Sequence, residues 1–328
     1  MKKKWLGDFV VMLLIWVGLI VLFGMLSEHF LSARTLGSLA NRIPSLTVIA
    51  VGMTFVLIIG GIDLSVGSVM GLCGALVGLA MVDWEWGLFP ALLLSMAVGL
   101  IAGAVNGGVS VYLKIPSFIV TLGMLEIARG LAYMTTDSQT KYIGSSVESI
   151  SQPMGGIGVS LAFVLAILLV AAGQILLNRM VLGRKSIAIG TNESAASLAG
   201  IETRFPRVLV FALIGALTGL AAVFYTSRLG SADPNAGVGM ELSAIAAVVI
   251  GGTSLMGGRG SVVNSFFGVL IIATLEAGLA QVGASEPLKR VVTGSVIVVA
   301  VIIDAWKHRV GGSPLDWLKT LFGKDAEK

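Results

Sequence analysis

The sequence predicts an all-α, polytopic membrane protein of about ten transmembrane helices, some of them interrupted or half-penetrating. Three observations predict it. The 328 residues are 56% apolar and only 12% charged, against about 25% charged in ordinary soluble domains, and the mean hydropathy is +0.95. The charges fall between apolar runs of the length that crosses a bilayer, about 20 residues of helix. Two of those runs are broken by glycine-rich polar stretches that echo each other, Gly60-Gly61-Ile62-Asp63-Leu64-Ser65-Val66-Gly67-Ser68-Val69 and Gly251-Gly252-Thr253-Ser254-Leu255-Met256-Gly257-Gly258-Arg259-Gly260-Ser261-Val262. In lipid every backbone N–H and C=O needs a partner, so irregular backbone at membrane depth persists only where protein or a water-filled cavity satisfies it.

Taken in order, the apolar spans cover residues 9–26, 43–62, 64–82, 86–110, 115–136, 157–177, 208–227, 242–258, 261–282 and 288–303. The eighth and tenth are short, and the second and third are separated only by Asp63. The first follows Lys2-Lys3-Lys4 as a signal peptide would, but Ser27-Glu28-His29-Phe30 offers no small-residue cleavage site, so it is expected to stay as an anchor. Trp5, Trp84, Trp86 and Trp306 fall at span ends, where amphipathic rings are favoured. Gly99, Gly103 and Gly107, and likewise Gly215 and Gly219, recur every four residues and predict close helix packing. The whole chain, 1–328, reads as a single transmembrane domain.

Basic residues stay on the cytoplasmic side. With the N-terminus inside, the inner segments collect Lys2, Lys3, Lys4, Lys114, Arg179, Arg184, Lys185, Arg204, Arg207, Arg259 and the C-terminal lysines and arginines, against Arg34, Arg42, Lys141, Arg228, Lys289 and Arg290 outside. Both termini are therefore expected in the cytoplasm, and the small positive net charge reads as topology, not as a nucleic-acid surface. The outer loop 137–156, with Pro153 and Gly155-Gly156, is long enough to form a small external surface.

Paired breaks in two halves of a polytopic chain point to a solute pathway. Gly60, Gly61, Asp63 and Ser65 in the first break, Thr253 and Ser254 in the second, and Asn106 in a neighbouring span are the candidate pathway or gating residues. Asp63 is placed to cap the helix restarting at Val66. Glu126 and Arg129, three apart on one helix, are expected to form an intramembrane ion pair. The inner segment 178–207 contains Thr191-Asn192-Glu193-Ser194-Ala195-Ala196-Ser197-Leu198-Ala199-Gly200, which reads as a short capped helix ended by glycine. Two turns are too short to be stable alone in water, so this helix needs something to dock against.

The motifs at 60–68, Pro116-Ser117-Phe118-Ile119-Val120-Thr121-Leu122-Gly123, residues 188–196 and 241–255, occurring in this order, resemble the ribose-type family of bacterial ABC sugar importer permeases. The resemblance covers residues 40–305. It implies a subunit of the bacterial inner membrane that passes a monosaccharide such as ribose, or another neutral solute such as a nucleoside or signalling sugar. It also implies three partners: a cytoplasmic ATPase, a periplasmic or lipid-anchored sugar-binding protein, and a second permease subunit. By the same resemblance 190–201 would be the coupling helix, with Asn192, Glu193, Ala195, Ala196, Leu198 and Gly200 meeting the ATPase. Two positions depart from that pattern. Ser243 stands where an acid is expected, and Glu276 stands where a neutral amide is expected; the two changes could compensate in space.

Other classes fit less well. A proton-coupled transporter would use Glu126 or Glu276 as a relay, and an intramembrane enzyme would need converging catalytic groups. His29 and His308 lie outside or at the edge of the spans, and Cys73 is the single cysteine, so neither a metal site nor a catalytic set is expected, and no cofactor. No glycine-rich loop ending in Gly-Lys-Ser/Thr is present to bind ATP. The energy for transport is therefore expected from another subunit or from an ion gradient.

Overall fold

In a computed structural model, residues 2–154 and 158–310 are described, with side chains over 9–154 and 158–302. Trp5, Trp306, His308, Gly155-Gly156 and the terminal basic residues fall outside the described side chains. Helices α1 (Lys2–Leu26), α2 (Ala33–Arg42), α3 (Pro44–Ile58), α4 (Val66–Gly78), α5 (Leu88–Tyr112), α6 (Ser117–Thr136) and α7 (Ser145–Glu148) form the first part of the chain. They are followed by α8 (Leu161–Arg179), α9 (Val181–Thr191), α10 (Glu193–Leu198), α11 (Arg204–Leu229), α12 (Met240–Ile250), α13 (Val262–Gln281) and α14 (Glu286–Val310). Two short strands, β1 (Lys141–Tyr142) and β2 (Ser231–Ala232), pair antiparallel.

Ten of these helices occupy the ten predicted spans. Among the described residues seven are individually long and apolar enough to cross a bilayer, or eight with α2 and α3 as one span bent by 42°. At about 1.5 Å per residue, the eleven residues of α12 reach only halfway through a bilayer, as the short eighth segment predicted. The tenth is not short: α14 has 25 residues. The second and third segments are separated by more than Asp63, since α3 ends at Ile58 and α4 begins at Val66.

The core forms around α3, in which every residue is buried. A helix with no solvent or lipid face needs no amphipathic stripe, and its sequence is apolar all round. Against it lies α11, seamed to α5 by the predicted glycines. A Cβ on Gly99 would collide with the Gly215 carbonyl, one on Gly215 with the Gly99 carbonyl, and one on Gly103 with the Phe211 carbonyl. Ser95 Oγ donates to Gly219 O across this seam at 2.7 Å. The first helix packs at the edge, where Trp16 Nε1 donates to Thr274 Oγ1 of α13 at 3.0 Å and Phe9 meets Phe267 edge-on. The loop 137–156 carries β1 and α7; β1 pairs with β2, and α7 is fixed to the end of α11 by Ser227 Oγ donating to Val147 O at 2.6 Å. Trp84 and Trp86 are exposed at the end of a π-helical turn, Leu79–Asp83, that extends α4.

Candidate functional site

The two breaks meet. At the first, Gly60 turns the chain at φ +73°, a conformation open to glycine at little cost. The irregular backbone beyond it is satisfied from the start of α6, where Ser117 Oγ accepts from Ile62 N at 3.0 Å and Thr121 Oγ1 from Leu64 N at 3.1 Å. Asp63 Oδ1 accepts from both Ser65 N (2.8 Å) and Ser65 Oγ (2.6 Å), and Asn106 Nδ2 of α5 donates to the same hydroxyl at 2.9 Å. Ser65, not Asp63, occupies the N-cap position of α4. The carboxylate therefore fixes the turn entering the helix and does not bond the free amides of its first turn.

At the second break Thr253 N bonds back to Val248 O, and Ser254 N and Arg259 O close a tight loop at 3.0 Å. From that loop Gly258 N donates to Ile58 O, the last residue of α3, at 2.8 Å. Gln174 of α8 accepts from Ser261 Oγ and Val263 N, and Thr54 of α3 donates to Ser265 Oγ at 2.8 Å. Gly61, Asp63, Ser65, Asn106, Thr253 and Ser254 are all buried, and Gly60 alone of the candidate pathway residues is exposed. Within one chain they tie helices together and do not line an open space.

The segment 178–207 closes on this junction. Gly190, in the last turn of α9, lies so close to the Ile58 carbonyl and the Gly258 amide that a Cβ would overlap both, and Gly258 is packed equally tightly on Thr191. Asn192 then breaks the helix and caps α10, its Oδ1 accepting from Ala195 N at 2.9 Å. The end is the predicted glycine stop: Gly200 has φ +78°, Ile201 N bonds Ala196 O, and Gly200 N bonds Ser197 O, the Schellman arrangement. Arg207 at the start of α11 holds Glu193 through both carboxylate oxygens at 2.7 and 2.9 Å, a tie the sequence reading missed because the two are fourteen residues apart. Ala195 is exposed, Leu198 is 91% exposed, and Ala196 is buried and seats the helix on its own chain. Phe205 and Met256 at the same end are also exposed; isolated apolar residues in polar turns gave no periodic signal.

The expected Glu126–Arg129 pair does not form. Arg129 instead donates to the Pro234 and Ala236 carbonyls, which fold over α4 at Gly71, where a side chain would displace the guanidinium. Two carbonyls accept the charged group with no need of Glu126, which stays exposed on α6.

At the other end of α3 lies a cavity of about 430 Å³, lined from α2, α11, α12, α13 and α14. Ser243 and Glu276, the two departures from the expected pattern, both face it. Arg42 Nη2 meets Glu276 Oε2 there at 3.4 Å, and Arg228 sits 5.1 Å from the ring centre of Tyr225. Among the described residues no group of histidine, cysteine and acidic side chains could hold a metal ion.

Residues 35–301 match the family described as the permease component of the branched-chain amino acid transport system. The chain belongs to this permease family. It is 38% identical over 291 residues to the ribose import permease RbsC of Haemophilus influenzae, covering 87% of this chain and 90% of the relative. It is 38% identical over 294 residues to RbsC of Bacillus subtilis (88% and 90%), and 34% identical over 290 residues to the D-allose transport system permease AlsC of Escherichia coli (87% and 88%). No solved structure matches the chain. Family and apolar helices together make the permease a multi-pass membrane protein and a transport subunit, not in itself an enzyme.

Proposed function

We propose that this permease is the membrane subunit of an ATP-driven importer that carries a monosaccharide, ribose or a related sugar, into the cytoplasm. The observation that carries this reading is the seating of α9 and α10 on the point where both breaks meet. Gly190 touches Ile58 and Gly258 at once, so any displacement of the inner segment is felt by α3 and by the loop between α12 and α13 together. The partners are a cytoplasmic ATPase docked on α10 through Asn192, Glu193, Ala195, Leu198 and Gly200, a sugar-binding protein on the opposite face, and a second permease subunit. Leu198, Phe205 and Met256, exposed together at that end, supply the apolar contact. With 178–207 facing the ATPase, both termini lie in the cytoplasm, and 1–328 acts as one transmembrane domain.

Glu126 supports a place for the pathway. An ion facing lipid at mid-span costs about 2.5–3.5 kcal/mol on insertion scales, and Glu126 lies midway along α6, exposed and without an ion-pair partner among the described residues. A second subunit facing α6 across water removes that cost. Gly60, Gly61, Asp63, Ser65, Asn106, Thr253 and Ser254 then act as the fixed hinges behind the pathway and not as its walls.

The test is uptake into proteoliposomes holding the permease, its ATPase and its binding protein, with D-ribose, D-allose and D-fructose as solutes. Uptake that needs ATP and ignores a proton uncoupler is expected. Uptake that follows a proton gradient without ATP refutes the importer.

A further inference from the structure

The cavity at the far end of α3 carries chemistry that neither the breaks nor the docking segment uses. It has the size of small-molecule sites, about 300–1,000 Å³, and its walls carry donors and acceptors of both signs, Arg42, Arg228, Lys289 and Arg290 with Glu276 and Glu286, of which Lys289 and Glu286 pair with each other. Glu276 brings two acceptor oxygens from α13, Arg42 and Arg228 bring planar donor forks from the ends of α2 and α11, and Ser243 and Thr293 bring hydroxyls from α12 and α14. Tyr225 adds an aromatic wall. Vicinal hydroxyls on a ring with apolar C–H faces present the complement: paired donors and acceptors at their edge and an apolar face for the phenol ring.

The charged groups are not consumed in holding the fold. The Arg42 and Glu276 side chains are 52% and 30% exposed at 3.4 Å, and an ion pair that open contributes little to stability. Arg228 has no carboxylate within ion-pair distance among the described residues; it is held over Tyr225 alone. We propose that this cavity is a binding site for a polyhydroxyl solute, gripped between Glu276, Arg228 and Ser243, and so the point at which the permease itself recognises its sugar. The proposal rests on the importer reading. It also gives the solute a mechanical consequence, because Ser243 and Glu276 lie on α12 and α13, the two helices joined by the second break. A ligand drawing them together acts on the same loop that touches α9.

The experiment is saturation-transfer NMR on the full permease in lipid nanodiscs with D-ribose, D-allose, D-fructose and D-ribonate, alongside the uptake assay. Glu276→Gln and Arg228→Gln are each expected to weaken sugar binding at least tenfold and to raise the half-saturating sugar concentration for uptake. Gly108→Ala, at a helical glycine with open space around it and outside the cavity lining, is expected to bind sugar normally. Unchanged binding in both cavity variants overturns the site, as does ATP-driven uptake of a sugar that the permease alone does not bind. Tighter binding of ribonate than of ribose overturns the solute class in favour of an acid. Loss of binding-protein association in the variants with sugar binding intact makes the cavity a protein contact and overturns the proposal. Absence of ATP-driven uptake altogether is a failure of the importer reading, read separately from these. Thermal unfolding of each variant, together with the second of the two substitutions, separates misfolding from loss of the site.

Discussion

Gly190→Ala is the most informative single change. The added methyl lands against the Ile58 carbonyl and the Gly258 amide, two backbone groups already bonded to each other at 2.8 Å, so no side chain can rotate aside. Overpacking of this kind costs about 1–3 kcal/mol, and separating a buried donor and acceptor costs about 1–3 kcal/mol more. Against that, alanine is favoured over glycine inside a helix by about 1 kcal/mol, leaving a net loss of about 1–5 kcal/mol. The control is the opposite sign at Gly18 and Gly108, helical glycines whose Cβ would meet nothing within 4 Å. Thermal unfolding in detergent, followed by tryptophan fluorescence, reads the stability, and ATPase co-purification with uptake reads the coupling. A lowered midpoint with lost uptake for Gly190→Ala is expected, with unchanged or raised midpoints for the controls. A Gly190→Ala protein as stable and active as Gly108→Ala would refute the claim that the inner segment is seated on the junction of the breaks.

Leu198→Asp should leave the unfolding midpoint unchanged, because the side chain is 91% exposed, while ATPase co-purification and uptake disappear; normal association would remove α10 from the docking surface. Ser65→Ala deprives Asp63 and Asn106 of their shared hydroxyl and should lower stability by about 1–3 kcal/mol, measured as a drop in the thermal midpoint. A cysteine replacing Glu126 should react with a charged, water-soluble thiol reagent in the assembled complex, and more so in one nucleotide state than another; inertness in every state would put α6 against lipid or packed protein. Glu193→Gln, which weakens a part-exposed ion pair with Arg207, should cost no more than about 1 kcal/mol in a melt yet lower ATPase co-purification.

The spans, the breaks and the inner helix were readable because each rests on local signals. Long apolar runs, the glycine stop at Gly200, and a cap expected at Thr191 or Asn192 and found at Asn192 are written within a few residues of where they act. The Glu126–Arg129 pair shows where local reasoning stops. Spacing of three on a helix permits contact, but the Pro234 and Ala236 carbonyls, more than a hundred residues away, offer the guanidinium better partners. The Glu193–Arg207 tie and the convergence of Ile58, Gly190 and Gly258 are likewise set by packing across the chain. Ser243 and Glu276 stood out as exceptions, and their shared cavity needed α12 and α13 to be placed side by side.

Backbone contact is what joins so small a segment to both breaks. A coupling surface made of long side chains would absorb displacement in rotamer changes, since each flexible side chain has staggered wells to move between. Gly190, Gly258 and the Ile58 carbonyl have none: the approach is main chain to main chain, and packed interiors transmit strain instead of dissipating it. In the proposed coupling a push at Ile58 would meet α3, buried at every residue and reaching from Ile58 to Pro44, where Ile43 and Leu46 line the cavity that holds Arg42 and Glu276. In the proposed importer, then, a shift delivered at α10 would have a stiff route to the opposite face, made stiff by Gly258 of the second break and by Gly190 of α9.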